Sequence, residues 1–293
     1  MRKHPIIYGL VLLVIAGGVF FLFAYVIASL GGEDHIVSMS EKIGVVEITG
    51  VINTSKEVID QLDKYARDDD LKAVVLRIDS PGGAVVPSQE IYDKVRSLKE
   101  LKKVLVSMGS VAASGGYYIA CGADKIIANP GTITGSIGVI IQFPQLKELL
   151  QKIGLKSTVI KRGKYKDVGS PSRDMTSEEK ALMQAVVDDI YDQFVEAVSL
   201  SRNIPKKDVE EIADGRILSG RQALEIGLVD ELGNLEYVID RARALAGIEG
   251  EPEVVYPKKK RKGLLYYIIK ESISSITEGL ESEDTGIRYR YVK

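Results

Sequence analysis

The sequence is poor in the side chains on which most hydrolytic sites depend. In 293 residues it has two histidines, His4 and His35, a single cysteine, Cys121, and no tryptophan. His4 precedes a long apolar segment and His35 follows it, so neither is placed to reach a site in the body of the fold. This argues against a Ser-His-Asp triad, a Cys-His pair and a histidine-based metal site. A lone cysteine also excludes an intramolecular disulfide.

A strong charge of either sign is also missing. The formal net charge is −2 at pH 7. The net charge therefore gives no indication of a nucleic acid partner, which a strongly basic chain would suggest. If the chain is an enzyme with a side-chain nucleophile, its general base must be a lysine or a carboxylate.

One long apolar run stands near the N-terminus. Residues 6–30 carry no charged side chain, and a helix of that length spans about 37 Å, more than the ~30 Å hydrocarbon layer of a membrane. Arg2 and Lys3 precede the run, whereas Glu33 and Asp34 follow it. This asymmetry predicts a membrane anchor with a cytoplasmic N-terminus and the rest outside. A cleaved signal peptide is the alternative, and the length of the run favours the anchor.

After this run, predicted strands alternate with predicted helices, which indicates a layered α/β domain. The predicted strands are residues 43–49, 71–78, 103–108, 124–128, 156–161 and 252–256. The predicted helices are residues 55–67, 87–101, 144–153, 176–202, 206–212, 220–226 and 235–245.

A serine lies between one of these strands and a short helix. The strand ends at Gly109, small residues follow, and Ser114 stands just before the predicted helical turn. A fold can expose a nucleophilic hydroxyl by placing a serine at a sharp turn between a strand and a helix. Gly115 and Gly116 would let a substrate carbonyl approach the backbone closely. The alternative is a small-residue turn that only packs a helix on the sheet.

A second glycine-rich turn follows the preceding strand, at Asp79-Ser80-Pro81-Gly82-Gly83. Consecutive glycines let backbone amides point at one place, as in an oxyanion hole. A tight Pro-Gly turn is the alternative interpretation. Neighbouring turns of a parallel sheet open on the same edge, so the two turns are expected to lie together.

The candidate base is a lysine. A lysine acts as a base only when it is neutral, and a shift of roughly three units from its free pKa near 10.4 costs ~4 kcal/mol, which burial can impose. Lys161, Lys164 and Lys166 lie in a loop without hydrophobic periodicity, and the chemistry alone does not choose among them. Lys125 is predicted to begin a strand. Ser136 is a candidate to orient the amine, with a capping role as the alternative.

Four motifs, in this order, resemble those of the signal peptide peptidase A family in its short single-domain form. They are Ser80-Pro81-Gly82-Gly83, Ala113-Ser114-Gly115-Gly116-Tyr117-Tyr118, Thr134-Gly135-Ser136-Ile137-Gly138, and Tyr165-Lys166-Asp167 with Ser170-Pro171-Ser172-Arg173. The likeness covers about residues 42–245, together with the anchor. It implies the Clp-protease/crotonase-like fold of stacked ββα units. It further implies a membrane-bound serine endopeptidase with a Ser-Lys dyad, which degrades residual signal peptides and needs no metal or cofactor.

The resemblance also assigns roles to individual residues. It implies that Ser114 is the nucleophile, Lys166 the general base and Ser136 a residue that orients the lysine. Gly83 and Gly115 match the backbone donors of the oxyanion hole. The resemblance, not the spacing, selects Lys166 among the three lysines.

The resemblance implies several partners: apolar extended peptides, the lipid bilayer and further copies of the chain in a ring or dome. It leaves open whether the dyad forms within one chain or between chains. The expected organisation is a cytoplasmic N-terminus (1–5), a transmembrane anchor (6–30), a linker (31–42), an extracytoplasmic peptidase domain (43–250) and a basic, amphipathic extension (251–293).

Two other functions remain possible at this point. A crotonase-like enzyme acting on acyl thioesters would bind coenzyme A and would not need an anchor. An inactive anchored scaffold would not need the complete set of motifs. A further hypothesis concerns the tyrosine-rich end of the chain, about residues 287–293, which could enter a groove of its own or a neighbouring subunit and limit access or be trimmed.

Overall fold

The computed structural model describes residues 13–23, 41–257 and the backbone of 288–290. Its helices are α1 (residues 13–23), α2 (Lys56–Ala66), α3 (Val85–Lys99), α4 (Gly115–Ala120), α5 (Lys147–Lys152), α6 (Ser177–Arg202), α7 (Lys206–Ile212), α8 (Gly220–Glu225) and α9 (Leu235–Ala246). Its strands are β1 (Lys42–Thr49), β2 (Leu71–Ser80), β3 (Gly82–Ala84), β4 (Lys103–Ala113), β5 (Lys125–Ala128), β6 (Ile133–Gly135), β7 (Ile217–Ser219), β8 (Glu231–Leu232), β9 (Glu253–Val255) and β10 (Arg288–Arg290).

An eight-stranded, mostly parallel sheet organises the domain. Its main path is β7-β6-β4-β2-β1-β9, and β5 and β8 extend from β4. Only the β6–β7 pairing in this sheet is antiparallel. A second, two-stranded sheet consists of β3 and β10. The predicted α/β class is confirmed.

Both faces of the sheet are buried, which explains the nearly continuous apolar runs of its central strands. Along β2, Val74 and Leu76 face one core, which also holds residues of α2, α3, α4 and α6. Ala73 and Val75 face the other core, where they meet residues of α9. This two-residue alternation is the ordinary geometry of a strand.

Strand β4 changes partner along its length. Its first half pairs with β5 at Leu105–Ser107, and its last residues pair with β6 at Val111–Ala113. Between these halves its register with β2 shifts, because Ile78 pairs with Met108 but Ser80 pairs with Ala112. The Asp79 carboxylate accepts a hydrogen bond from the Val111 amide at 3.0 Å and holds the irregular segment.

Two of the predicted elements are absent or much shorter in the structure. Residues 156–161, predicted as a strand, form no regular element. The helix predicted over 144–153 is limited to Lys147–Lys152. The long helix after Thr176 is confirmed, and it begins with the predicted capping box, in which the Thr176 hydroxyl accepts from the Glu179 amide and the Glu179 carboxylate accepts from the Thr176 amide.

The predicted anchor is described only in part. Residues 13–23 are helical, and the remainder of the run 6–30 lies outside the described residues. No helix within the described part of the chain is long and apolar enough to cross a membrane. The chain divides into two units, residues 1–40 and 41–293.

Candidate active site

Ser114 stands between β4 and α4 with an unusual backbone conformation. Its φ is 54° and its ψ is −118°. A non-glycine residue with positive φ is sterically costly and persists only where the surrounding structure holds it. Such a strained turn between a strand and a helix is typical of a serine nucleophile. The structure therefore places the candidate nucleophile at a strained turn between a strand and a helix.

Ser136 shares the same feature and lies beside Ser114. Its φ is 50°, and the only other non-glycine residue with positive φ among the described residues is Asn203, which ends α6. Ala113 pairs with Gly135 in the parallel β4–β6 ladder, so each serine directly follows a paired residue. The Ser114 amide donates to the Gly135 carbonyl at 2.8 Å, and the Ser136 amide donates to the Arg216 carbonyl at 2.8 Å. The structure thus brings the two predicted serines together.

The hydroxyl of Ser114 is buried and has no hydrogen-bond partner. The residue is 1% exposed, and its Oγ is the one buried side-chain polar atom among the described residues that no partner satisfies. A buried hydroxyl without a partner costs about 1–3 kcal/mol. Buried polar groups in native structures are nearly always hydrogen-bonded, so this hydroxyl is a candidate for a functional role.

Gly83 lies on β3, the short strand that follows the second glycine-rich turn. The Ile52 amide donates to the Gly82 carbonyl at 2.9 Å, and the Ala84 amide donates to the Ile52 carbonyl at 2.7 Å. A Cβ atom on Gly83 would stand 2.1 Å from the Ile52 carbonyl oxygen. Only glycine fits this approach of two backbones. Glycine at position 83 is therefore required by the strand pairing itself.

The Ser80 hydroxyl fixes the turn that leads into β3. It donates to the Gly50 carbonyl at 2.6 Å and accepts from the Gly82 amide at 3.1 Å. The hydroxyl therefore both donates and accepts a hydrogen bond, and the residue is fully buried. The turn before β3 is thereby tied to the segment that leads to Ile52.

Gly115, the second predicted oxyanion donor, is the first residue of α4. It is buried, and the turn is closed by a hydrogen bond from the Tyr118 amide to the Ser114 carbonyl at 2.8 Å. A Cβ on the following Gly116 would meet the Ser80 carbonyl oxygen at 3.1 Å. The two glycine-rich turns therefore pack against each other, as the sequence predicted.

The three candidate lysines have different surroundings. The Lys161 ammonium is paired with Asp167, and the Lys164 ammonium is paired with Glu178. Hydrogen bonds to Glu178 and Tyr165 raise the pKa of Lys164, which makes this amine less suited to act as a base. Lys166 is exposed, and its ammonium forms no ion pair with any residue that the structure describes.

An ion-pair network, which we call the Arg173 clamp, holds the loop of these lysines. Arg173 donates to Asp167 at 2.9 Å and to both oxygens of the Glu179 carboxylate at 2.8 and 2.5 Å, and Lys161 completes the clamp. The hydrogen bonds from Arg173 lower the pKa of Glu179 to about 2 and hold the pKa of Asp167 well below its usual range. The clamp joins the residue next to Lys166 to the first turn of α6.

Lys166 and Ser114 do not meet within one chain. The Ser114 hydroxyl has no partner within hydrogen-bonding distance, so the Lys166 amine is not bonded to it. The structure thus brings together Ser114, Ser136 and the two glycine-rich turns, and it leaves Lys166 on an exposed loop.

The backbone of residues 288–290 occupies the open edge of β3. Strand β10 pairs with β3 in antiparallel orientation, with Tyr289 opposite Gly83. The strand also lies against α4, the helix that begins directly after Ser114.

Sequence reasoning missed two features of the site. The Arg173 clamp is formed by residues within one short stretch, but nothing in their spacing indicates which carboxylates Arg173 contacts. The strain at Ser136 was also not predicted. The one sequence signal near it is the preceding glycine, Gly135, whose φ is +75° in the structure.

A strained, buried serine beside glycine-rich turns, at one edge of a mostly parallel α/β sheet, is typical of a serine hydrolase. Comparison with known proteins agrees. The family model described as Peptidase family S49 matches residues 96–249, and that described as Clp protease matches residues 33–133. The chain belongs to peptidase family S49 and is a serine protease.

Two relatives illustrate the likeness. A Synechocystis sp. protein assigned as a protease is 49% identical over 214 residues, which are 72% of this chain and 77% of the relative. An Enterococcus faecium protein assigned as signal peptide peptidase SppA is 40% identical over 205 residues, which are 67% of this chain and 60% of the relative. The resemblance to the signal peptide peptidase A family is confirmed.

One solved structure supports the fold. The 1510-N membrane-bound stomatin-specific protease, in an S97A mutant form, matches with a TM-score of 0.51 and 18% identity, covering 75% of this chain and 99% of that chain. At this identity the match bears on the fold alone. Together with the Clp protease match it confirms a Clp-protease-like fold.

Proposed function

We propose that the protein is a membrane-anchored endopeptidase that cleaves residual signal peptides and other extended apolar peptides through an acyl-enzyme at Ser114. The observation that carries this proposal is the Ser114 hydroxyl, which is buried, has no hydrogen-bond partner and sits on a strained backbone. The signal peptide specificity follows the family resemblance. An E. faecium relative carries this activity in its name.

In this mechanism a neutral Lys166 removes the proton of Ser114 as the hydroxyl attacks a peptide carbonyl. The amides of Gly83 and Gly115 hold the oxyanion, and Ser136 orients the amine. The lysine then protonates the leaving amine. Water, activated by the Lys166 amine, hydrolyses the ester and restores the serine.

We further propose that Lys166 acts on the Ser114 of a second copy of the chain. Within one chain the lysine is exposed and the serine hydroxyl has no partner. The segment around the lysine also exposes many apolar side chains, a surface typical of a protein contact. They are Ile140, Leu146, Leu149, Ile153, Leu155, Val159 and Ile160, and Ile160 is 97% exposed. A second copy that covers these side chains would also cover Lys166 and supply the burial that a neutral amine needs.

Active-site labelling tests the nucleophile. We expect a fluorophosphonate to modify the full chain at Ser114 and to leave the Ser114→Ala variant unmodified, because the other serines lack an activated hydroxyl. Peptide mapping by mass spectrometry identifies the labelled residue. Ser110→Ala, which changes a serine on the same strand, is the control and should retain the label. Labelling of the Ser114→Ala variant would show that another residue is the nucleophile.

The anchor is tested by membrane fractionation. We expect the full chain to remain with the membrane after alkaline extraction, because residues 6–30 are apolar and long enough to span it. A variant that lacks residues 1–40 should be found in the soluble fraction. Release of the full chain by alkaline extraction would contradict the anchor.

A further inference from the structure

Strand β4 carries two extra residues shortly before the turn of the nucleophile. Its register with β2 is regular as far as the pair of Ile78 and Met108. The next pair joins Ser80, two residues further along β2, to Ala112, four residues further along β4. We call the unpaired residues 109–111 of β4 the β4 bulge. Bulges are frequent beside active sites, where they change the direction of a side chain.

The β4 bulge determines how far along the sheet Ser114 lies. In a regular ladder Ser80 would pair with Ser110 instead of its actual partner, two residues later. Without the bulge, Ser114 would therefore lie about 6.6 Å further along the strand direction, at about 3.3 Å per residue. A shift by an even number of residues keeps each side chain on its face of the sheet. The bulge thus moves the nucleophile along the sheet and leaves its orientation unchanged.

The Thr132 hydroxyl holds the first residue of the β4 bulge. It donates to the Gly109 carbonyl at 2.7 Å and accepts from the Asn129 amide at 3.2 Å. Thr132 is buried, and Gly109 has no partner in the ladder with β2. The carbonyl of this glycine therefore takes its hydrogen bond from a side chain, as a buried backbone group outside a ladder requires.

The Asp79 side chain holds the β4 bulge from the side of β2. Its carboxylate accepts from the Val111 amide at 3.0 Å. A Cβ on Gly109 would stand 2.9 Å from both Cβ and Cγ of Asp79, so the acidic side chain lies directly on this glycine. The bulge is therefore fixed at its first and last residues, by two side chains from different parts of the chain.

We propose that Asp79 and Thr132 are positioning residues for the nucleophile, which keep the β4 bulge in the form that places Ser114 beside the glycine-rich turns. This inference rests on the proposed function, because it concerns the residue that attacks the peptide. Neither side chain bonds to the Ser114 hydroxyl. Both act through the backbone between the bulge and the serine. Loss of either hydrogen bond lets the bulge relax, and Ser114 then moves relative to the oxyanion donors.

Thr132→Val tests one side of the bulge, because it replaces the hydroxyl by a methyl group of similar size. We expect kcat for a fluorogenic apolar peptide to fall by about 100-fold with KM changed by less than about threefold, since a displacement of about 1 Å at a reacting group has an effect of this size. The rate of fluorophosphonate labelling at Ser114 should fall in parallel. Thr132→Ser keeps the hydroxyl and should restore most of both rates.

Asp79→Ala and Asp79→Asn test the other side of the bulge. Asp79→Ala removes the acceptor of the Val111 amide and should lower kcat and the labelling rate as Thr132→Val does. The amide oxygen of asparagine can still accept this hydrogen bond, so Asp79→Asn should retain most of the activity. Asp79 is only half-buried. This pair of variants therefore decides the proposal even if Thr132→Val does not fold.

Ser199→Ala is the matched control for the loss of a hydroxyl. The Ser199 hydroxyl donates to the Ile204 carbonyl at 2.7 Å, near the end of α6. Its removal should lower the midpoint of thermal unfolding and leave kcat and the labelling rate unchanged. An equal loss of kcat in this control would overturn the proposal, because lost stability alone would then explain the result.

Two further outcomes separate the proposal from the proposed function. Unchanged kcat and labelling rate in folded Thr132→Val and Asp79→Ala chains would overturn the positioning role while the wild-type protein is still labelled at Ser114. Failure of the proposed function gives a different result, because the wild-type protein itself would then be neither labelled at Ser114 nor able to cleave the peptide.

Discussion

An equimolar mixture of Ser114→Ala and Lys166→Ala chains is expected to regain peptidase activity that neither variant has alone. Each single variant should lose at least about three orders of magnitude in kcat/KM, because nucleophile and base act as one unit. In the mixture, an intact Lys166 of one variant can meet an intact Ser114 of the other. The reason is the separation seen in one chain, where the lysine is exposed and the serine hydroxyl has no partner.

The measurement is hydrolysis of an apolar fluorogenic peptide after the two variants are refolded together, so that mixed assemblies form. Lys164→Ala is the matched control, because this neighbouring lysine is engaged by Glu178 and is not proposed to act on the serine. That variant should stay active alone. If the two inactive variants associate but the mixture remains inactive, the dyad does not form between copies.

Gly83→Ala is expected to lower kcat/KM by at least about 100-fold, the loss typical of removing one oxyanion donor. A Cβ at this position would stand 2.1 Å from the Ile52 carbonyl oxygen and 2.5 Å from the Ile52 nitrogen. Both of these atoms are backbone, so no side chain can move aside. Strand β3 must shift, and its amide then no longer points at the carbonyl of the bound peptide.

Peptide hydrolysis and thermal unfolding together distinguish this effect from general unfolding. Gly131→Ala is the matched control, because a Cβ there meets nothing within 4 Å and should change neither activity nor the midpoint of unfolding. The Gly83→Ala chain should remain folded at assay temperature while it loses activity. Full activity in that folded variant would remove Gly83 from the oxyanion hole.

The sequence was sufficient to predict the central strands and the strand-to-helix turn that carries Ser114. The strand at residues 71–78 is nearly continuous in apolar residues, and it is buried on both faces in the structure. Ser114 was recognisable because strand, small residues and helix follow one another. Its strained backbone agrees with that prediction.

The surroundings of the three lysines in the loop of Lys166 could not be predicted from their spacing in the sequence. Lys161, Lys164 and Lys166 stand in a stretch without periodicity, and only the folded structure shows that two of them are engaged by carboxylates. The prediction of a strand at 156–161 was wrong for a related reason. Thr158, Val159 and Ile160 at its centre are β-branched, but a strand needs a partner, and Val159 and Ile160 are exposed instead.

The full length of β4 was also not predictable. Gly109 and Ser110 are typical of a turn, so the prediction ended the strand at Met108. In the structure the Asp79 carboxylate binds the Val111 amide, and the chain continues as a strand to Ala113. This contact joins residues 32 positions apart, and local patterns do not report it.

The Arg173 clamp gives the loop of Lys166 a sensitivity to acid that the apolar core does not share. Arg173 lowers the pKa of Glu179 from its ordinary value of 4.5 to about 2, so the clamp contributes its full stabilisation above about pH 4.5. That contribution is lost as the pH falls towards 2 and the carboxylate gains a proton. Strong acid would therefore loosen the attachment between this loop and the start of α6 while the sheet beneath Ser114 stays packed.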